Sequence, residues 1–338
     1  MQRRPSVRRL LLAIFVAGCA TTAAQSQEIR FFQLGTGPTG ETRFPVGGLI
    51  ANALSNPPGS RPCEKGGSCG VPGLIAVAKS TNGSLANVDS ISTRRLDAAL
   101  VHADIAYWAY HGSGIYKGKG AVKNLRGIAM LYPESLHLVA RADAKIKSVK
   151  DLRGKRVSFG DKDSGSAVHG RMLLAAFGIA ESQIKLMPMK AGPAADALAA
   201  GKLDALLMVD AFPVPTITEL AQTTAITLVP LDGPEIDRLR EKSPFLAVGE
   251  VAGGTYRGIP DPVKTLEVGV ALVTGAEQNE TLIYGITRAL WHPSTQKLLT
   301  EANPRAKRVK LDAKAIEAMG IALHGGASAY YFDSGIIK

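Results

Sequence analysis

The sequence has few aromatic residues, few cysteines and no long apolar run beyond its first 20 residues. Phe, Trp and Tyr make up 6% of 338 residues, and 40 Lys and Arg are mixed with 29 Asp and Glu. Single-strand nucleic-acid binding needs basic runs interleaved with aromatic side chains, so no nucleic-acid partner is expected. No later stretch has 18 apolar residues without a charge, so no membrane-spanning helix is expected in the body of the chain.

The N-terminal segment 1–27 has the composition of a secretory signal peptide. It contains four arginines and an apolar run over residues 10–17, followed by small and polar residues. This pattern predicts export to the periplasm. The apolar run ends in a sequence that resembles a lipoprotein box, in which Cys19 would carry the lipid anchor. Conventional cleavage after Ala24 or Ser26 fits the small residues equally well.

The other two cysteines, Cys63 and Cys69, are close in sequence and lie in a glycine-rich turn. In an oxidising compartment such a pair favours a local structural disulfide, with free thiols or redox chemistry as the alternatives. A zinc site at this turn would need two further ligands, and there is no second cysteine pair.

Apolar strand patterns alternate with helical patterns along the chain, which predicts an α/β fold with mainly parallel sheets. A length of 338 residues exceeds the roughly 250 residues that one hydrophobic core supports, so we expect two lobes. Two apolar segments, 136–140 and 266–272, have the pattern of strands that cross between the lobes. The prediction is a first lobe of residues 28–136 plus 270–338, a second lobe of residues 137–269, and a hinge formed by the crossing strands.

Short polar motifs follow the predicted strands in a characteristic order, and together they resemble the TAXI family of extracytoplasmic solute receptors. These receptors serve TRAP transporters and have the type II periplasmic binding-protein fold of two sheets flanked by helices. The motifs that carry the resemblance are Leu34–Gly40 with Phe44–Gly48, Thr81–Ser84 with Asn87, Asp104–Gly112, Leu131–Glu134, Ser148–Lys155, Ser164–Ser166, Gly201–Ala205, and Leu323–Ala327 with Tyr330 and Tyr331.

The resemblance implies a receptor that binds a small organic anion, such as glutamate or 2-oxoglutarate, and delivers it to a TRAP-type permease. We expect a monomer without a cofactor. The sequence departs from the family at His102, where the family usually has Gln, and in the segment 322–327, which lacks the family's prolines. His102 therefore bears on the identity of the ligand.

The candidate ligand-binding residues follow the predicted strands, because ligands of open α/β sheets bind at the carboxyl ends of strands. Ser164, Gly165 and Ser166 open a helix whose N–H groups and hydroxyls suit a carboxylate, although simple N-capping is the alternative. A buried acid at a strand end would favour an amine or hydroxyl on the ligand, although such an acid can also cap a helix. The remaining candidates are Thr36, Gly37, Thr39, Ser84, Asn87, His102, Asp104, Tyr132, Glu134 and Asp210.

Tyr132 and Glu134 are expected between a helical segment and the first crossing strand, where they would either close over the ligand or pack at the hinge. The six histidines include no i, i+4 pair, so no metal site is expected, and no Gly-x-Ser-x-Gly elbow is present. Catalysis is therefore not expected. A periplasmic sensor for a membrane signalling partner, or an enzyme that uses the same cleft, remain as alternatives.

Overall fold

The structure is a computed structural model that describes residues 28–337. The predicted signal peptide, with Cys19, lies outside the described residues. Twelve strands are found in this part of the chain: β1 (Arg30–Gly35), β2 (Ser55–Asn56), β3 (Val71–Pro72), β4 (Leu74–Lys79), β5 (Ala98–His102), β6 (Leu125–Arg141), β7 (Arg156–Ser158), β8 (Lys185–Leu186), β9 (Ala205–Asp210), β10 (Ile226–Leu228), β11 (Leu246–Val251) and β12 (Val263–Gly275).

Eleven α-helices connect these strands within residues 28–337 and cover the faces of the sheet. They are α1 (Arg43–Leu54), α2 (Ser84–Ser92), α3 (Ala103–His111), α4 (Gly165–Ala176), α5 (Ala191–Ala199), α6 (Pro215–Thr223), α7 (Pro234–Lys242), α8 (Glu280–Leu290), α9 (Pro293–Ala302), α10 (Ala313–Glu317) and α11 (Gly325–Asp333). The predicted α/β class is confirmed. Gly178 follows the C-cap residue Phe177 of α4 and has a left-handed φ of 61°, which a glycine adopts readily at the end of a helix.

The crossing strands β6 and β12 are longer than the sequence indicated, with 17 and 13 residues. In the first lobe β1 pairs in parallel with β4 and β5, and in the second lobe β7 pairs in parallel with β8 and β9. Both parallel groups join the antiparallel β6 and β12 pair, so the two expected sheets are continuous as one hydrogen-bonded sheet. The predicted lobe boundaries fall inside β6 and β12 and stay a prediction.

Each lobe has its own apolar core on the sheet. In the first lobe Leu34 and Leu100 pack with Ile283 of α8, and in the second Leu138 packs with Leu207, all of them fully or almost fully buried. A fully buried leucine or isoleucine contributes roughly 1.5–3 kcal/mol relative to an exposed one. The cores therefore hold each lobe together, and the polar strand ends lie between them.

One sequence expectation about the hinge is wrong. Tyr132 and Glu134 do not precede the first crossing strand but lie inside β6, on either side of Pro133. β6 continues through Pro133, which pairs with Gly269 of β12, and the register of this pairing shifts between Val270 and Ala271 and between Leu272 and Val273.

Candidate functional site

The carboxyl ends of strands from both lobes meet at the middle of β6. Val270 of β12 pairs with His102 at the end of β5 and with Tyr132 of β6. Three residues further along β6, Ser135 pairs with Asp210 at the end of β9. The last residues of β5 and β9 therefore face each other across the crossing strands, and a polar cluster forms between the lobes.

Arg43 lies at the centre of this cluster, and its side chain is only 1% exposed. Its Nη2 donates to Glu41 Oε2 at 2.6 Å and its Nη1 donates to Ser84 Oγ at 3.1 Å. Its Nε lies 3.7 Å from Glu134 Oε1 and has no hydrogen-bond partner. Arg43 is the first residue of α1, a helix without another charged residue, so nothing else on the helix balances the guanidinium.

His102 and Glu134 form a second pair beside Arg43. His102 Nε2 and Glu134 Oε2 are 2.8 Å apart, and both residues are fully buried. The hydroxyl of Tyr132 donates to Glu134 Oε1 at 3.5 Å. The backbone N–H of His102 donates to Ser84 Oγ, so Ser84 joins this pair to Arg43. The other ring nitrogen of His102, Nδ1, is buried without a hydrogen-bond partner.

A third pair, Asp104 and His169, joins the two lobes. Asp104 lies in the first turn of α3, and His169 lies on α4 in the second lobe. His169 Nε2 and Asp104 Oδ2 are 2.8 Å apart, and the rings of His169 and His102 meet edge to face at 5.1 Å. Burial opposes ionisation of Asp104, but the adjacent His169 lowers the pKa of this carboxyl below 3.8.

Asp210 makes a further contact between the lobes. Its two carboxylate oxygens accept from the backbone N–H of Thr42 at 3.1 and 3.0 Å, at the start of α1. One of these oxygens also accepts from the N–H of Ala211. The Asp210 side chain is fully buried, so the interlobe cleft is closed at this point.

Burial shifts the pKa values of the titratable groups in the cluster. It raises the pKa of Glu134 to about 6, although Arg43 and Tyr132 oppose the rise. It also raises the pKa of Glu41 and, together with Glu134 and Glu41, holds the pKa of Asp210 well above 3.8. Burial and the nearby Arg43 keep the pKa of His102 well below 6.5. Four carboxyl groups thus surround one guanidinium and two imidazoles.

The three residues at the start of α4 contact the first lobe or cap the helix. Ser164 is the N-cap, because its Oγ accepts from the N–H of Ala167 at 3.1 Å. Gly165 lies so close to His102 that a Cβ there would be 2.2 Å from Nδ1. Ser166 Oγ accepts from the N–H of Val209 at the end of β9. The capping alternative therefore accounts for the Ser164 hydroxyl.

The first-lobe turn residues divide into buried and exposed groups. Thr36 is buried, and its Oγ1 donates to the carbonyl of Lys79, while Asn87 Nδ2 donates to the Thr36 and Leu100 carbonyls. These hydrogen bonds stabilise the turn that follows β1. A Cβ on Gly37 would lie 3.0 Å from Glu41 Oε2, so Gly37 adjoins the Arg43 cluster. Thr39 is exposed and lies outside the cluster.

A small cavity of about 20 Å³ lies beside the cluster, with room for one water molecule. Glu41 lines it from the first lobe, and Ser158, Ser164 and Ser166 line it from the second. The contacts of Asp104, Asp210 and Gly165 thus bring the lobes together around a space that is narrow in this structure.

Sequence reasoning missed Glu41, Thr42, Arg43 and His169. The signal for Arg43 is its position at the start of an apolar helix. A helix of this kind is buried, and a buried charge needs a partner. His169 gave no such signal, because it approaches His102 and Asp104 only when the lobes meet. His102, Asp104 and His169 each have one donor atom within 4.8 Å of the other two, so they form a candidate set of metal ligands. No sequence spacing indicated this set.

Comparison with solved structures identifies the class of fold. The chain is similar to PhnD1 from Prochlorococcus marinus in complex with methylphosphonate, with 13% identity, a TM-score of 0.51, and coverage of 91% of this chain and 99% of that one. It is similar to the periplasmic binding protein BugD at 13% identity, a TM-score of 0.50, and 91% and 98% coverage. The fold is that of type II periplasmic binding proteins.

A family model describes the chain more specifically. The model of the NMT1-like family matches residues 34–335, so the chain belongs to the NMT1-like family. The matched region includes every residue of the buried cluster described above. Among the residues that the structure describes, no helix is long and apolar enough to cross a membrane.

Proposed function

We propose that this protein is an extracytoplasmic solute receptor that binds a small amino acid in the cleft between its lobes. The observation that carries the proposal is the buried cluster around Arg43, to which both lobes contribute charged groups. Unsolvated charges of this kind are costly and are retained where they bind something. The predicted signal peptide and the resemblance to TAXI receptors support the same function.

The charges in the cluster favour a solute that carries both a carboxylate and an ammonium group. Arg43 is the only guanidinium in the cluster and suits a carboxylate, since its fork of N–H donors matches two carboxylate oxygens. Glu134, Asp104 and Asp210 surround Arg43. These acids would repel a solute that carries negative charge and no positive group. Glutamate therefore fits better than 2-oxoglutarate, the other ligand that the resemblance implies.

The mechanism follows from the contacts between the lobes. A cavity of about 20 Å³ is too small for an amino acid, so the lobes separate to admit the solute. The solute carboxylate then takes the place of Glu41 on Arg43, and its ammonium group binds an acid of the cluster. When that acid is Asp210 of the second lobe, the solute bridges the two lobes, so it binds the closed state more tightly and shifts the population toward it.

A TRAP-type permease is the partner that the resemblance supports, and the receptor would deliver the solute to it. A sensor that presents its closed form to a signalling protein would use the same cleft. Deleting the gene for a candidate permease separates these two functions, because uptake stops for a receptor and continues for a sensor. An enzyme would instead return a changed solute after incubation.

A thermal-shift comparison of three related solutes tests the proposed ligand class. Glutamate has both an α-carboxylate and an ammonium group, 2-oxoglutarate lacks the ammonium, and 4-aminobutyrate lacks the α-carboxylate. A ligand at 100 times its Kd stabilises the folded state by about 2.7 kcal/mol, so the differences are measurable. We expect glutamate to raise the Tm most. Equal stabilisation by 2-oxoglutarate would show that the ammonium group is not recognised.

An Arg43→Lys variant tests which residue binds the carboxylate. Lys keeps the charge but loses the planar pair of donors, so we expect it to weaken glutamate binding at least tenfold. Arg171→Lys is the matched control, because Arg171 forms an exposed ion pair with Glu181. Unchanged glutamate affinity in the folded Arg43 variant would exclude Arg43 from the binding site.

A further inference from the structure

A set of three buried side chains between the lobes has the composition of a transition-metal site. We propose that His102, Asp104 and His169 bind one divalent ion of the late first row, such as Zn²⁺. Their donor atoms lie within 4.8 Å of one another, and all three residues are at most 1% exposed. Ligands of a tetrahedral zinc lie about 3.3 Å apart, so a small approach of the three groups would complete the site.

The hydrogen bonds of His102 leave one ring nitrogen for a metal. Ionised Glu134 accepts from Nε2, so the lone pair of the neutral ring is on Nδ1. Nδ1 is buried and has no partner in the structure. A ligating histidine commonly donates its other N–H to a carboxylate, which fixes the orientation of the ring. Glu134 is in the position to orient His102 in this way.

His169 and Asp104 are the other two ligands of the proposed site. His169 Nε2 and Asp104 Oδ2 lie 2.8 Å apart, so a divalent ion would take the place of the proton between them, and that proton would move to Nδ1 of the ring. Burial leaves no solvent to compete with these donors. The other ring nitrogen of His169, Nδ1, is buried without a partner, so the hydrogen bonds of the protein do not fully satisfy this ring.

Gly165 packs directly against His102. A Cβ at this position would lie 2.2 Å from Nδ1, so the start of α4 reaches this ring nitrogen only because residue 165 has no side chain. Any larger residue would therefore occupy the space next to the donor atom. Gly165 also lies on the second lobe, so a slight separation of the lobes changes the room for an ion.

Two imidazole nitrogens and one carboxylate oxygen define the class of metal. Imidazole suits Zn²⁺, Co²⁺ and similar ions, whereas Ca²⁺ and Mg²⁺ take oxygen ligands. Three protein ligands leave one tetrahedral position for water or another group. Because His169 comes from the second lobe and the other two ligands come from the first, a bound ion would hold the lobes closed. The proposal does not depend on the identity of the solute.

Titration of the full chain with Co²⁺ and Zn²⁺ tests the site. The protein is prepared without a polyhistidine tag and freed of metal with a chelator. We expect one ion per chain by calorimetry, a visible absorption band with Co²⁺, and no effect of Ca²⁺ or Mg²⁺. His169→Gln and Asp104→Asn should each lower the affinity for Zn²⁺ at least tenfold. Binding that persists unchanged in both folded variants would overturn the proposal.

Two control variants exclude other histidines. His111 is exposed on α3, and His292 lies 4.0 Å from Cys63 in the other group of potential metal ligands found among residues 28–337. The sulfurs of that group are bonded to each other, so it lacks thiolate ligands. His111→Gln and His292→Gln should bind Zn²⁺ as the unchanged protein does. Loss of binding in either control would place the ion elsewhere and contradict the proposal.

A measurement without variants covers the case in which substitution prevents folding. Nitrogen NMR of the histidine rings follows all six histidines of the chain during addition of Zn²⁺. We expect the two rings of His102 and His169 to shift and the other four to stay unchanged. Shifts confined to other histidines, or no shift at all, would overturn the proposal.

Discussion

The histidines of the cleft and the histidine inside the second lobe differ in their partners and not in their burial. His102 and His169 each contact a carboxylate at 2.8 Å. His137 is just as buried, but its Nδ1 donates to the carbonyl of Ser135 and its ring packs edge to face on Phe212 and Tyr256. Burial alone therefore does not mark a site. The charged partners in the cleft do, because they are costly to bury unless they bind one another or a ligand.

The largest expected effect comes from removing the one guanidinium of the cleft. Arg43→Met leaves Glu41 and Glu134 buried without their counter-charge, and we expect the free energy of unfolding to fall by about 3–5 kcal/mol. Urea denaturation measures this change. Arg171→Met removes an exposed pair and should cost about 1 kcal/mol or less. If both substitutions cost the same, the cleft is no different from the surface and the comparison fails.

The pH dependence of stability tests the histidine inside the second lobe. Burial lowers the pKa of His137 from 6.5 to about 4, despite hydrogen bonds that oppose the shift. Below pH 6.5 the unfolded chain gains a proton at this residue and the folded chain does not. The contribution of His137 to the free energy of unfolding is therefore fully present above pH 6.5. It is lost as the pH falls to about 4, which lowers the free energy of unfolding by about 3 kcal/mol.

His137→Asn keeps a donor for the Ser135 carbonyl but does not titrate. Urea denaturation between pH 7 and pH 4 should show a shallower loss of stability in this variant than in the unchanged protein. The difference between the two curves isolates His137 from the carboxyl groups of the cleft. Parallel curves would mean that His137 is protonated in the folded state.

The disulfide turn differs from the cleft because a covalent bond, and not a set of buried charge pairs, holds it. The predicted bond between Cys63 and Cys69 is confirmed, with the Cα atoms 4.8 Å apart. Replacing both cysteines with serine should lower the free energy of unfolding by roughly 2 kcal/mol through loop entropy. Calorimetry should give an unchanged affinity for glutamate. A loss of affinity in the folded variant would connect the turn to the cleft.

The smallest expected effects come from single hydroxyl groups of the cleft. Ser84→Ala removes the acceptor that Arg43 and the N–H of His102 share, and we expect about tenfold weaker solute binding, or about 1.4 kcal/mol. Ser166→Ala removes the acceptor of the Val209 N–H and should have a smaller effect. Ser92 is half-buried at the end of α2, and its hydroxyl donates only to the nearby Asp89 carbonyl, so Ser92→Ala is the control. Calorimetry with equal affinities for all three variants would assign both cleft serines to structure alone.

The sequence allowed prediction of the α/β alternation, the crossing strands and the strand-end positions of most cluster residues. Ser84, His102, Asp104 and Asp210 were all expected near strand ends, and they are buried between the lobes. Periodicity and turn residues are local signals, so they identify such positions.

The pairing of these residues could not be predicted in the same way. The contact of Asp104 with His169 joins residues 65 positions apart, and that of Thr42 with Asp210 joins residues 168 apart. Both contacts depend on how the lobes meet, which no local pattern encodes. The continuous sheet was missed for a related reason: the ends of β6 and β12 pair in different lobes.

Small-angle scattering with and without glutamate tests the central claim most directly. If one amino acid binds groups of both lobes, adding it at saturating concentration should decrease the radius of gyration, because hinge closure brings the lobes together. Mass spectrometry of the same sample should recover glutamate unchanged. A radius of gyration that stays constant while calorimetry shows bound glutamate would contradict binding between the lobes, and a converted product would contradict the receptor function.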